Sequence, residues 1–278
     1  MRFVKAQGLG NDFLLVEREL APLDPSAWAR RLCDRHEGAG GDGVILYQVL
    51  ANNEVEMRLI NADGGDAEIS GNGLRCLAAY VFRQGWLPAR HVVRTAAGPR
   101  VVEVAPALGS RYRVHANLGE PVLGSREIPM AIDPPRSPVV DHPLEVDGRT
   151  VVVTATSLGN PHCALFFDTP VVDAVITSLG PAIERHPLFP RRTNVEFVTV
   201  VSPRELRVRF WERGVGYTRA SGTGAASAAV AAVIAGRASR TVRVVCDGGV
   251  LDVEWPEGGS VRQVGEAEIL FEGDWLAG

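Results

Sequence analysis

Ala220-Ser221-Gly222-Thr223-Gly224-Ala225-Ala226, running on into Ser227-Ala228-Ala229-Val230-Ala231-Ala232-Val233-Ile234-Ala235, decides how this chain is read. A turn of small residues opens onto an alanine-rich run of high helix propensity. Ser221 therefore falls where a helix N-cap belongs, and Gly222 lets a ligand approach the backbone. The unpaired amides of that first turn favour an anion, such as a carboxylate or phosphate. The same pattern occurs earlier, in Ile69-Ser70-Gly71-Asn72-Gly73-Leu74-Arg75-Cys76-Leu77-Ala78-Ala79-Tyr80-Val81-Phe82. Ser-Gly-x-Gly followed by a helix is thus written twice.

A second motif repeats at nearly the same offset. Leu158-Gly159-Asn160 answers Leu9-Gly10-Asn11, as Ser221 answers Ser70. Two motifs repeated in the same order predict an internal duplication, and hence an α+β fold of two pseudo-symmetric domains facing one another, each a strand-wrapped central helix. Around these points the pattern is mostly β. Arg2 to Lys5 and Phe13 to Val16 flank a Gly-rich turn, and Asp24-Pro25 caps a helix reaching Arg35. Strands are predicted at Val44 to Tyr47, Val55 to Ile60, His91 to Thr95, Arg100 to Val104 and Arg111 to His115. The Pro-rich passage Pro129 to Pro143 reads as a connection, and the boundary is set just before it, near Leu118. The expected domains are 1–117 with 266–278, and 118–265. Strands follow at Val151 to Thr156, Cys163 to Phe167, Asn194 to Val200, Leu206 to Trp211, Val242 to Cys246, Val250 to Glu254, Val261 to Val264 and Ala267 to Phe271.

Composition narrows the function. A chain of 278 residues with 46% hydrophobic and 22% charged residues is an ordinary globular protein, long enough for two cores. A net charge of −4 offers no polyanion-binding surface, so nucleic acid is not an expected partner. The N-terminal Met1 to Gly8 carries no apolar signal region and no run is long enough to span a bilayer, so a cytoplasmic protein with no membrane partner is expected. Four separated cysteines, Cys33, Cys76, Cys163 and Cys246, with no C-x-x-C pair, read as reduced thiols rather than disulfides or a metal site.

Seven motifs together carry a resemblance: Gly8-Leu9-Gly10-Asn11-Asp12-Phe13, Asn61-Ala62-Asp63-Gly64, Gly71-Asn72-Gly73-Leu74-Arg75-Cys76, Gly159-Asn160-Pro161-His162, Asn194-Val195-Glu196-Phe197, Glu212-Arg213-Gly214-Val215-Gly216 and Gly222-Thr223-Gly224-Ala225. In this order the chain resembles the diaminopimelate epimerases over nearly its whole length. The resemblance implies cofactor-independent inversion at Cα of LL- or meso-diaminopimelate, a step of lysine and cell-wall precursor synthesis. It carries substrate contacts to Asn11, Asn61, Gly71, Asn72, Asn160, Asn194, Glu212, Arg213, Gly222 and Thr223. The residues agree in kind. Asn side chains donate and accept, helix N-termini bind carboxylates, and Glu212 and Arg213 suit an ammonium and a carboxylate. The expected partner is a small zwitterionic amino acid, and assembly into a homodimer stays open.

The chain departs from the family at the two residues that matter most. Where the family has a thiolate base and a thiol acid, immediately before Gly71 and Gly222, this sequence has Ser70 and Ser221. A serine hydroxyl that ionises as reluctantly as water lies roughly 7 pKa units above a thiol, on the order of 10 kcal/mol. A helix dipole supplies only about 0.3 to 2 kcal/mol of that. Little epimerase activity is therefore expected of the chain as written. The alternatives are a related amino-acid isomerase or dehydratase with altered chemistry, and a non-catalytic amino-acid-binding protein. Tyr217 is a second departure, since the family usually has an acidic residue there.

Ordinary readings exist for several of these residues. Ser221 alone would be an N-cap. His162 offers an imidazole base, with structural support the preferred reading. Arg75 and Cys76 fall where helix packing is the default, and Asp12 and Asp63 suit turns in which a carboxylate bonds backbone amides.

Overall fold

The computed structural model describes residues 1–276; the last two positions of the expected 266–278 stretch, Ala277 and Gly278, lie outside the described residues. The chain forms two compact units, Met1–Asn117 with the stretch from Val264, and Leu118–Gln263. The fold is α+β, with four α-helices among many strands in the described residues.

In the first unit the elements run β1 (Arg2–Gly8), β2 (Asn11–Glu17), α1 (Pro25–Cys33), β3 (Gly43–Leu50), β4 (Glu54–Asn61), β5 (Asp66–Ala67), α2 (Gly71–Arg83), β6 (Arg90–Thr95), β7 (Gly98–Pro106) and β8 (Arg111–Gly119). Strand β1 pairs antiparallel with β2, β2 parallel with β3, β3 antiparallel with β4, β4 parallel with β6, and β6 antiparallel with β7. β7 continues to β8, and β8 and β1 both pair with β17 (Val261–Asp274). The pairings thus return on themselves and enclose α2, whose residues Gly71 to Val81 are all buried. A helix covered on every side needs small or apolar residues all round, and Ala78, Ala79 and the leucines supply them.

The second unit runs β9 (Val139–Val146), β10 (Arg149–Ser157), β11 (Pro161–Phe167), α3 (Asp173–Glu184), β12 (Asn194–Ser202), β13 (Glu205–Glu212), β14 (Gly216–Thr218), α4 (Gly222–Ile234), β15 (Thr241–Cys246) and β16 (Gly249–Glu254). From β10 onward the succession of pairings is that of the first unit: antiparallel, parallel, antiparallel, then a parallel step from β13 to β15 and an antiparallel one to β16. Helix α4 is buried from Gly222 to Ala232. No helix among the described residues is long and apolar enough to cross a membrane.

Three sequence expectations change and one helix is added. Helix α1 stops at Cys33 rather than Arg35, because Asp34 turns extended and its carboxylate takes the amides of His36 and Glu37 at 2.8 and 2.7 Å. The end of the Pro-rich passage is strand β9, with Pro143 opposite Val152. Helix α3 has no counterpart in the sequence reading, since its β-branched residues and its Gly180-Pro181 step argue against a helix. There Trp211 explains the glycine: a Cβ at position 180 would lie 2.6 Å from its ring. The last two expected strands are one, β17, continuous through Gly265.

Candidate active site

The two serine starts are built alike. Ser70 caps α2 at φ −129° and ψ 123°, and its Oγ accepts the Gly73 amide at 3.1 Å. Ser221 caps α4 at φ −130° and ψ 125°, and its Oγ accepts the Gly224 amide at 3.2 Å. An N-cap oxygen satisfies one of the orphan donors of the first turn, and the rest of that turn keeps its partial positive charge. Their surroundings differ. Ser221 is buried and its hydroxyl donates to Glu212 Oε2 at 3.1 Å, while Thr218 donates to Glu212 Oε1 at 2.6 Å. Among the described residues no carboxylate bonds Ser70.

Around Ser70 the first unit gathers two of the expected asparagines. The turn Leu9-Gly10, with both residues at positive φ (58° and 81°), folds β2 back on β1 and sets Asn11 at the strand start. Asn11 donates from Nδ2 to Asp42 Oδ2 at 2.7 Å and accepts at Oδ1 from Asn72 Nδ2 at 3.1 Å. Asn72 Oδ1 accepts in turn from the buried Arg75 guanidinium, which also bonds the Glu266 carbonyl at 3.3 Å. Arg75 is therefore more than packing. Asn61 closes β4 beside Gly43, and its backbone exchanges bonds with Gly64 and Gly65 at 2.9 Å each. Asp63 serves that turn by accepting the Gly65 amide at 2.8 Å.

Asp12 does not bond turn amides. It pairs with the buried Lys5 and with Arg35 at 2.7 Å, and Arg35 reaches Asp42 at 2.8 Å. Burial alone would raise the Asp12 carboxyl, but bonds from Arg35 and Lys5 outweigh it and hold it below the ordinary carboxylate range. Asp42 goes the other way, raised chiefly by burial against the bond from Asn11.

In the second unit Asn160, His162 and Asn194 lie together, with His162 and Asn194 opposite one another across β11 and β12. His162 is buried; its Nε2 meets Asn160 Oδ1 at 2.8 Å and its Nδ1 meets Glu196 Oε1 at 2.6 Å. Burial raises the Glu196 carboxyl, and the facing imidazole only partly offsets this. Both ring nitrogens are occupied, so His162 holds Asn160 in place and has no lone pair turned to a substrate. Asn194 donates to the Pro161 carbonyl at 2.9 Å and accepts the Arg213 amide at 3.0 Å, while the Arg213 guanidinium reaches the Arg191 carbonyl at 3.2 Å. Gly222 and Thr223 are the buried first residues of α4, and Gln263 donates to the Gly222 carbonyl at 2.7 Å.

Sequence reasoning gave no role to three carboxylates that hold these parts: Asp42, Glu184 and Glu196, the last quoted only as part of a motif. Glu184 ends α3 and takes the Trp211 indole at 2.9 Å and the Gly214 amide at 3.0 Å, which fixes the loop after Glu212. No local signal marks them, because each acts on residues far away in sequence. The Tyr217 hydroxyl donates to Asp247 at 2.6 Å and its ring centroid lies 5.2 Å from the Arg209 guanidinium carbon. The cysteines do not stand in for the serines. Cys33 and Cys76 are buried in the first unit with thiols pushed up to about 12 by desolvation, and buried Cys163 is raised by desolvation and by Glu196.

The family model for diaminopimelate epimerase matches residues 3–123 and 154–270. Diaminopimelate epimerases of Pelotomaculum thermopropionicum and Desulforudis audaxviator are 45% and 46% identical, each over 99% of both chains. In three dimensions the chain is similar to a hydroxyproline epimerase of Agrobacterium vitis (TM-score 0.72, 12% identity, 98% of this chain and 90% of that one). It is equally similar to a probable proline racemase of Agrobacterium radiobacter (TM-score 0.72, 13% identity, 100% and 93%). A full-length match of this kind, on a chain whose two helix starts carry the motifs, is decisive: the chain belongs to the diaminopimelate epimerase family.

Proposed function

We propose that the chain is built to bind diaminopimelate and invert it at Cα without a cofactor, and that serine at both acid-base positions leaves the inversion step largely unpowered. The observation that carries this is the matched pair of serine N-caps, each with its Oγ on the amide of the third helical residue. The repeated succession of strand pairings supports an internal duplication, with domains 1–117 plus 266–278 and 118–265 each wrapping one of the two helices. In this reading the substrate lies against Asn11, Asn61, Gly71, Asn72, Asn160, Asn194, Glu212, Arg213, Gly222 and Thr223.

Inversion needs a base that takes the Cα proton on one face and an acid that returns a proton on the other. Negative charge that develops on the carbanion and its carboxylate is favoured by helix N-termini. A neutral hydroxyl can donate but scarcely accepts a proton from carbon, so Ser70 and Ser221 supply two acids and no base. Calorimetry with LL- and meso-diaminopimelate, followed by proton NMR of Cα exchange in heavy water, tests both halves. The expected result is binding with very slow exchange. Fast epimerisation by the unaltered chain would overturn the catalytic half, and absence of binding would overturn the substrate.

A further inference from the structure

We propose that Glu196 is a positioning residue that acts through His162: its carboxyl keeps its proton and donates to Nδ1, which fixes the Nε2–H tautomer and holds Asn160 by its oxygen, with the amide nitrogen free to donate. The proposal deepens the reading above, in which Asn160 touches the substrate. There it makes Asn160 select an acceptor, such as a carboxylate oxygen, over an ammonium.

Placement isolates the pair from other charges. Cys163, Val195 and Phe197 pack with Ile176 and Ile183 of α3. Successive side chains of a strand point to opposite faces, so His162, Asn194 and Glu196 take the other face of the sheet, against which α4 packs. That helix carries no ionisable side chain from Gly222 to Ile234 and brings Glu196 no counter-charge. His162 and Glu196 are both buried, and Glu196 Oε2 has no partner among the described residues.

The protons follow from the partners. Asn160 meets His162 Nε2 with its oxygen, which can only accept, so Nε2 carries a hydrogen. In a neutral imidazole Nδ1 is then the acceptor, and Glu196 Oε1, facing it at 2.6 Å, is the donor. An imidazolium against a carboxylate would put two charges in this buried place and leave the charged Oε2 unpaired, which is the costlier arrangement. A protonated carboxyl leaves only a carbonyl oxygen there. Burial raises the Glu196 carboxyl and acts in the same direction. With its oxygen committed to His162, Asn160 has a nitrogen that bonds none of the described residues and is open to solvent where Glu196 Oε2 is sealed. It keeps two donors for a ligand.

The test reads the imidazole directly. Long-range proton–nitrogen NMR of the full chain, with the His162 signals assigned by their loss in His162→Gln, should show a protonated Nε2 and a bare Nδ1. Two protonated nitrogens, or a proton on Nδ1 alone, would overturn the proposal. Calorimetry with meso-diaminopimelate reads the consequence. Glu196→Gln keeps a donor for Nδ1 and should hold the affinity within about threefold, whereas Glu196→Met, of similar size but with no donor, releases the tautomer and should weaken binding about fivefold to tenfold. A Glu196 that only fills space would give equal affinities, and one that acts by its charge would lose as much with Gln as with Met; either result overturns the proposal. If Glu196→Met does not fold, the NMR of the unaltered chain decides the matter. Asn160→Ala should weaken binding about tenfold. If it does so while Glu196→Met binds unchanged, the proposal alone falls; if Asn160→Ala changes nothing, the reading beneath it falls as well.

Discussion

Ser221 holds its hydroxyl proton on Glu212 at 3.1 Å while its oxygen takes the amide of Gly224, whereas no carboxylate among the described residues bonds its counterpart Ser70. Cysteines placed at the two positions would therefore titrate differently. A helix N-terminus favours a thiolate at both, but at position 221 a neighbouring carboxylate and burial oppose it. We expect Ser70→Cys to react with iodoacetamide at neutral pH at least several-fold faster than Ser221→Cys. Rates measured against pH would check this, with little background from Cys33 and Cys76, whose thiols are pushed up to about 12. Equal rates would show that Glu212 does not govern its neighbour.

Gly224 and Gly73 occupy the same place in the two helices, but not with the same freedom. A Cβ at 224 would stand 2.9 Å from Ser221 Cβ and 3.0 Å from the Phe210 ring, both stiff neighbours. At 73 the nearest atoms, 2.9 and 3.2 Å away, are the flexible ends of Ile45 and Met57. Gly224→Ala should cost about 1 to 3 kcal/mol and Gly73→Ala less, read by urea denaturation. A larger loss from Gly73→Ala would contradict the packing described.

Asp12 gives a pH signature. Its carboxyl lies lower in the folded chain than in the unfolded one, so over that interval the unfolded chain binds more protons and stability rises with pH. The contribution is complete above the unfolded value, near 3.9, and is lost as pH falls through the lower folded value. Asp12→Asn should lower stability at pH 7 by about 3 kcal/mol, since it leaves the buried Lys5 ammonium with the Gly40 carbonyl but without its carboxylate, and should flatten the acid side of the stability curve. Parallel acid limbs for the two proteins would remove Asp12 from that role.

Tyr217, which the sequence reading sets against an acid, has its hydroxyl bound to Asp247, while Thr218 and Ser221 are the hydroxyls that reach Glu212. Tyr217→Glu would bring two carboxylates together and should lower thermal stability without raising Cα exchange. Tyr217→Phe should cost about 1 kcal/mol and leave ligand binding unchanged. A rise in exchange with Tyr217→Glu would place that side chain in the chemistry.

What could be seen in the sequence was local. Ser70 and Ser221 announce helix starts because a cap, a glycine and an apolar run are contiguous, and β-patterned runs such as Val55 to Ile60 alternate visibly. Helix α3 was hidden because Val175, Ile176 and Thr177 look like strand and Gly180-Pro181 looks like a break, while burial against Trp211 overrides both. Gly265 made one long strand look like two. The supports of the candidate site were hidden for another reason. Asp42 acts on Asn11, Glu196 on His162 and Glu184 on Gly214, and such pairs are made only when distant strands meet.

The strongest prediction concerns both serines at once. With cysteine at 70 and 221 together, one thiolate can take the Cα proton while a thiol on the other face returns one, and roughly 10 kcal/mol of ionisation cost is removed. Either single change leaves one face served only by an alcohol, and inversion in either direction must then form an alkoxide there, at on the order of 10 kcal/mol, so single variants should stay close to the unaltered chain in epimerisation. Ser70→Cys should nevertheless exchange Cα hydrogen of one isomer faster than Ser221→Cys does, because its thiolate forms more readily away from Glu212. Proton NMR in heavy water reads exchange, and chiral chromatography of LL- and meso-diaminopimelate reads inversion, on the same samples. A double variant that binds diaminopimelate yet neither exchanges nor inverts it would show that the loss of function lies beyond the two hydroxyls, in the asparagine frame or in the choice of substrate.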